Sequence, residues 1–580
     1  MSAKCFVLGL ASALALALSI QPTPAEACGG LFCSASAPVN QAAERIIFSK
    51  NADDTVTAVV QIQYQGPSEE FAWVLPVPGI PEVKVSSDLA FTRLQLAGNP
   101  QYNLSTVIEG ECLESLNAPS GSVGVDGSFD GGGGSGGSAG GGVNVLARGN
   151  VGPYDYVVIM AEGAFEHVGD VMVEWLTNEG YDVVPPGGDP ADISDLLGSY
   201  LEGGMNLIAF RLTKGNDNGT IRPIRITYES DQPMIPIRPT AVAANDDMGV
   251  MVWVLGESRA VPVNYRSLEL NQALINWLTG GSNYNQVVVA AANEAGGQGF
   301  VTERAVETDA LENVVVTDFE RGQWEQLQVN APALSSEELL RESIRFSGWD
   351  GYLEVLEDFL PQDDLDVFIQ CPQCDNTLTP FDKEAFMDAL ESDVIAPMLE
   401  TDELLASRPY VTRLYTTLSA PEMDLDPLFD FNADLDDVSN VHNATRVVEC
   451  NPTISFNEAP SRVELEDGRV VRLPPGGAWP FAVGDEDAPP ANKIVAQLST
   501  SGPGTVVTDN SDAIDAALDE HNAGVPVLQA PTLSMAGGCT VAPNRTDLLW
   551  WAGLALAGLL IRRRGSGVPG GCGGWGGWGG

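Results

Sequence analysis

Thr55–Gln65 reads TVTAVVQIQYQ, with Val56, Ala58, Val60, Ile62 and Tyr64 alternating against mostly polar neighbours. A period of two is the pattern of a half-buried strand. Phe71–Val77 (FAWVLPV) predicts a second strand, with Gly66-Pro67-Ser68 as the turn before it. Outward from this pair, strands are predicted over Asp155–Ala161, Met205–Thr213, Ile221–Glu229 and Met248–Leu255. Lys214–Thr220 (KGNDNGT) joins two of them through Asn218-Gly219, a hairpin cue. Helical patterns fall between. Phe165, Val168, Met172, Trp175 and Leu176 share one face, and Asp189 caps a helix that Pro190 opens. Leu270, Leu274, Trp277 and Leu278 form another stripe, ended by Gly280-Gly281. Ser335 and Glu338 make a capping box, and a further helix runs from Phe381 to Ile395 behind Pro380. These alternations predict an α+β fold of mixed, largely antiparallel sheets with packed helices.

A smaller β-rich unit is expected over 438–521, where Val463–Leu473 (VELEDGRVVRL) reads as a hairpin about Asp467-Gly468. The body before it spans 28–437. Residues 120–142 are Gly/Ser-rich and cannot bury enough apolar surface to offset their ordering entropy, so a disordered insertion is expected there. A Pro/Gly linker covers 522–546.

The two ends carry addressing signals. Lys4 precedes the apolar run Phe6–Ile20, and Ala25-Glu26-Ala27 offers a small-x-small cleavage pattern, so residues 1–27 read as a signal peptide cut between Ala27 and Cys28. At the other end Leu548–Ile561 (LLWWAGLALAGLLI) is followed by Arg562, Arg563 and Arg564. As a helix it spans about 21 Å, short of the ~30 Å hydrocarbon core, but the arginines can snorkel to headgroups and resist crossing. A transmembrane helix with an Arg stop is therefore expected over 547–564, with the Gly/Trp-rich tail 565–580 beyond it. Together these signals predict an exported protein of the cell envelope or surface, its C-terminal helix in the inner membrane.

The 580 residues and 44% hydrophobic content are ample for a large core. With 29 basic residues against 79 acidic, the formal charge is −50, which excludes nucleic acid as a partner. Setting aside Cys5, Cys539 and Cys572 leaves Cys28, Cys33, Cys112, Cys371, Cys374 and Cys450 in the exported body. An even number in an oxidising compartment reads as disulfides. Cys28/Cys33 and Cys371/Cys374 are close enough for local bridges, which leaves Cys112 and Cys450; sequence alone does not fix this connectivity.

Candidate chemistry is sparse. Cys371-Pro372-Gln373-Cys374 follows Val367–Gln370 (VFIQ), read as a strand, as in disulfide oxidoreductases, yet the next helix begins only at Pro380. A periplasmic thiol-disulfide oxidoreductase is thus the enzymatic alternative, and a structural bridge the favoured reading. Two Gly-x-Ser-x-Gly matches, at Ser135 and Ser138, lie in the glycine tract with no strand or helix to hold a nucleophile elbow. His167, His442 and His521 are the three histidines, and spacing pairs none of them with a nucleophile. The acidic run Glu422–Asp437 (EMDLDPLFDFNADLDD) fails the EF-hand pattern, and Asp126-x-Ser128-x-Asp130-Gly131 reaches Gly137 where Glu belongs. The expectation is a solvated acidic face with no catalytic residue, metal or cofactor; a calcium-dependent adhesive module is the remaining alternative.

Two resemblances sharpen this reading. Cys539 followed by a short apolar helix and an Arg cluster resembles the MYXO-CTERM sorting tail. This implies a precursor held in the inner membrane until an intramembrane protease cuts near Cys539, with the export machinery as its other partner. CGGLFC (Cys28–Cys33), AVVQIQYQGPSEEFAWVLPVP, IRITYESDQPMIPIRPT (Ile224–Thr240) and GQGFVTE (Gly297–Glu303) resemble the domain of unknown function 2330 family. Arg413–Asn432 (RLYTTLSAPEMDLDPLFDFN) is similar to that family's longer members. The resemblance implies an exported, disulfide-bearing α+β body and brings no catalytic residues with it.

Overall fold

The computed structural model describes residues 40–65, 72–113, 143–161, 168–181, 183, 189–212, 222–242, 244–374, 378–485 and 487–527. Its strands are β1 (Asn40–Lys50), β2 (Thr55–Gln65), β3 (Ala72–Val77), β4 (Glu82–Val85), β5 (Gln101–Glu109), β6 (Val143–Val151), β7 (Tyr154–Ala161), β8 (Asn206–Leu212), β9 (Ile224–Glu229) and β10 (Ala244–Gly256). They continue as β11 (Ala260–Pro262), β12 (Arg266–Leu270), β13 (Gly299–Glu307), β14 (Tyr410–Leu418), β15 (Phe429–Phe431), β16 (Val441–Glu449), β17 (Ser461–Glu464), β18 (Val470–Leu473), β19 (Asn492–Gln497) and β20 (Thr505–Asp509).

The expected alternation in β2 places Val56, Ala58, Val60 and Ile62 in one core, packed with Trp73, Leu75 and Phe210 of a second sheet. The opposite face is not solvated, contrary to a half-buried strand. Thr57, Val59 and Gln61 are buried as well, because β2 lies inside a ten-stranded sheet of order β20-β19-β12-β13-β14-β10-β1-β2-β9-β4 with helices over that side. Its polar residues are paired there: the Thr57 and Thr227 hydroxyls lie 3.0 Å apart and Gln61 donates to Asp88. On the helical side Phe91 meets Trp253 at 5.9 Å, with Trp324 in the same core.

The sheets are mixed and largely antiparallel, as expected. β1–β10, β12–β13 and β5–β16 are parallel pairs. β3-β8-β7-β6 forms a separate antiparallel sheet, covered by the helices Val168–Asn178 and Pro190–Glu202. The Asp189 side chain accepts from Ala191 N at 3.0 Å, which caps the second of these as the sequence implied. Two local expectations change. β2 and β3, and likewise β8 and β9, belong to different sheets, so neither pair is a hairpin; Gly66–Ser68 and Asn218-Gly219 lie outside the described residues.

The β-rich stretch after 438 does form strands, and β17 and β18 pair antiparallel around Gly468, at φ +86°. It is woven into the rest, however. β16 pairs with β5 along nine residues, and β19 extends the large sheet beside β12. The described residues up to Val527 accordingly form one compact unit.

Two helix readings and one strand reading are corrected or extended. Leu270–Leu278 is not a helix: β12 ends at Leu270 and a single 3-10 turn covers Trp277–Thr279. Asn271 Oδ1 accepts from Ala273 N (3.0 Å), and Asn283 links Asn276 N and the Leu274 carbonyl (both 2.8 Å). These amide side chains satisfy the backbone locally and outcompete the helix. Val367–Gln370 belongs to the helix Gln362–Gln370, where Asp363 and Asp364 occupy the first turn and Leu365 and Phe368 are buried one turn apart. The helix expected from Phe381 starts after the cap Asp382 and passes through a π turn (Glu391–Ile395) into Ala396–Ala406. Pro397 cannot donate to the Asp393 carbonyl four residues back, and Arg222 donates to it instead. The capping box Ser335/Glu338 forms as expected.

Residues 120–142, the signal segment and the tail from 528 onward lie outside the described residues. Among the described residues no helix is long and apolar enough to cross a membrane.

Candidate functional site

β13 carries Gly299–Glu307, and in its pairing with β14 the register slips between Thr302 and Arg304. Glu303 is therefore the extra residue of a β-bulge, a device that re-aims one side chain out of the ladder. Its carboxylate turns inward and is 3% exposed. Oε1 accepts from the Tyr284 hydroxyl at 2.6 Å, and Oε2 lies 2.6 Å from Arg413 Nε in an ion pair. That contact is charge against charge rather than an aligned hydrogen bond, since the Nε–H makes none. Arg413, on β14, is held by the Gln95 carbonyl (3.0 Å) and Asn99 Oδ1 (2.9 Å), and its guanidinium lies 5.4 Å from the Trp253 ring. Gly98 makes room for it: a Cβ there would stand 2.8 Å from Arg413 Nη1.

Above this pair opens a cleft of about 550 Å³, lined among others by Tyr102, Tyr284, His442, Glu269 and Lys493. The size suits a small-molecule site. Tyr102 (β5) stacks on His442 (β16) at 4.8 Å and 17°, and meets Trp277 edge-on at 5.1 Å. Gly281, at φ +77°, is required beside it, because a Cβ would come within 2.4 Å of the ring. At the rim Lys493 Nζ pairs with Glu269 Oε1 at 2.7 Å.

Burial pushes the Glu303 carboxyl above the usual range, opposed by Arg413 and by the Tyr284 hydroxyl. Burial and the neighbouring Glu303 raise Tyr284 well above an ordinary phenol. Burial lowers His442, against the pull of Glu466, so the imidazole is neutral at pH 7. Both oxygens of Glu303 are engaged, and among the described residues neither His442 nor His521 is hydrogen-bonded to a serine or cysteine; His521 Nε2 bonds the Arg472 carbonyl at 2.8 Å. The arrangement shapes a cleft of small-molecule size in which His442 faces the nearby carboxylate of Glu466.

The cysteines resolve differently from one another. Cys112 and Cys450 form a disulfide with Cα atoms 4.8 Å apart across 338 residues, and Gly110 (φ +88°) lets its own chain pass the Cys450 carbonyl. Cys371 and Cys374 are also joined. Cys371 stands at the C-terminal end of Gln362–Gln370, where the helix dipole disfavours a thiolate, the reverse of a redox site. Cys28, Cys33, Cys539, Ala27, Arg562, Arg563, Arg564 and His167 lie outside the described residues, as does the Asp126–Asp130 run.

The acidic stretch 422–437 keeps Asp424, Asp434, Asp436 and Asp437 exposed, as a solvated face would, and it also clasps distant parts of the chain. Asp426 accepts from the Tyr200 hydroxyl (2.6 Å) and Arg238 N (3.1 Å), Asp430 from Gln232 (2.8 Å), Asp434 from Gly502 N (2.8 Å) and Asp437 from the Tyr410 hydroxyl (2.6 Å). Among the described residues no three His, Cys, Asp or Glu side chains gather as a metal ion requires.

Sequence reasoning missed Glu303 and Arg413 as a site. The signal was present: Glu303 stands in phase with Val301 and Ala305, both buried, so an acid occupies an apolar position of a strand and needs a buried cation. No curated protein and no solved structure matches the chain. The family model described as an uncharacterised protein conserved in bacteria (DUF2330) matches residues 22–320, more than half of the 580, and the chain belongs to that family.

Proposed function

We propose that this protein is a non-enzymatic, exported component of the bacterial cell envelope or surface, braced by disulfides and anchored or sorted through its C-terminal tail. The observation that carries the reading is the Cys112–Cys450 bridge, which ties β5 to β16 across 338 residues. Such a bond persists in an oxidising compartment and is rare in a reducing cytosol. The apolar run Phe6–Ile20 with Ala25-Glu26-Ala27, and Leu548–Ile561 with its arginines, supply the matching address. Its partners are then the export machinery, an intramembrane protease acting near Cys539, and the inner membrane. The engaged oxygens of Glu303 favour binding over catalysis at the cleft.

Cell fractionation with mass spectrometry of the native protein tests the proposal. The expected protein lies in the envelope fraction, starts at Cys28 and contains oxidised Cys112 and Cys450. A cytosolic chain with an intact N-terminus and reduced thiols would refute it.

A further inference from the structure

A second cavity, of about 270 Å³, lies where the ten-stranded sheet meets β3. Its wall is apolar, formed by Phe48, Val60, Leu75 and Ile226 with Met234 and Leu428. The space opens to solvent, so an aliphatic ligand gains by displacing water from its apolar wall. The polar residues on its lining are Glu44, Tyr228, Ser230, Asp231 and Gln232, with no lysine or arginine among them, although Lys50 Nζ, outside the lining, donates to the Ser230 carbonyl at 2.8 Å. Asp231 is exposed and marks the mouth, while Met205 and Met234 are half-buried. Methionine adapts to an irregular aliphatic chain better than a branched side chain does. We propose that this cavity binds the aliphatic chain of a single-chain amphiphile whose cationic head group sits at Asp231. The volume admits one chain, so a two-chain lipid is not its ligand, and a carboxylate head would be repelled.

Cells expressing the full chain are irradiated with a diazirine-bearing dodecylamine and the labelled peptides mapped. The expected result is saturable labelling of peptides containing Met205, Met234 or Leu428. Unlabelled alkylamines compete, gaining about fourfold per methylene from octyl to dodecyl until the cavity is filled. Dodecanol competes about threefold less well, and dodecanoate less again. Asp231→Lys, at an exposed position, reverses that order of head groups. Met234→Trp and Met205→Trp each remove the label without shifting the melting temperature; should either unfold, the Asp231→Lys reversal still decides. Labelling scattered away from these peptides, equal competition by dodecanoate and dodecylamine, or competition by a two-chain cationic lipid as strong as by dodecylamine overturns the proposal.

Discussion

Replacing Arg413 by methionine keeps most of the side-chain volume but leaves Glu303 buried without its cation. Glu303 is 3% and Arg413 2% exposed, so solvent cannot take over the lost partner. Breaking one side of such a pair costs about 3–5 kcal/mol, because the remaining charge stays desolvated. Arg413 also loses its bonds to the Gln95 carbonyl and to Asn99, which places the expected loss at the upper end. The variant has an acid with a raised pKa and no counter-charge. The protonated form is then favoured in the fold, so the penalty is small near pH 4 and grows as the pH rises to 7. Urea denaturation of parent, Arg413→Met, Glu303→Leu and the double variant at pH 4.5 and 7.5 measures this. The double variant should recover much of the loss, since two apolar residues need no partner. A loss for Arg413→Met below about 1 kcal/mol, or strict additivity in the cycle, would refute the inference that the two groups lock the bulge together.

Further outcomes are expected elsewhere. Burial, with Asp350 nearby, raises Asp88 from 3.8 to about 7 against the pull of Arg45 and Arg222. The raised value means the fold prefers the protonated acid, so its stability is complete below pH ~4 and declines by about 4 kcal/mol as the pH rises to 7. Asp88→Asn should therefore gain on the parent steadily across that window in paired denaturation curves, and a pH-independent difference would contradict this. Cys112→Ser with Cys450→Ser should lower stability by about 2–5 kcal/mol under oxidising conditions and by little when both proteins are reduced. Gly98→Ala should cost about 1–3 kcal/mol by pressing on Arg413, an effect that vanishes in the Arg413→Met background.

Local patterns of a few residues settled much of this architecture. The alternation of Val56, Ala58, Val60 and Ile62 fixes a strand, Asp189-Pro190 and Ser335 with Glu338 fix helix starts, and Asp467-Gly468 fixes a hairpin, because each acts through neighbours within one turn or one ladder. The tertiary structure decided what depends on distant parts of the chain. It covered the polar face of β2 with helices, parted β2 from β3 and β8 from β9 into different sheets, and drew β16 and β19 back among strands from the first half. It also turned VFIQ into a helix, since burial of Leu365 and Phe368 against other helices outweighs the local preference of a short apolar run. Glu303 and Arg413 are 110 residues apart, and Tyr102 and His442 are 340 apart. Desolvation and register, both properties of the assembled sheets, bring them together; no local propensity encodes either.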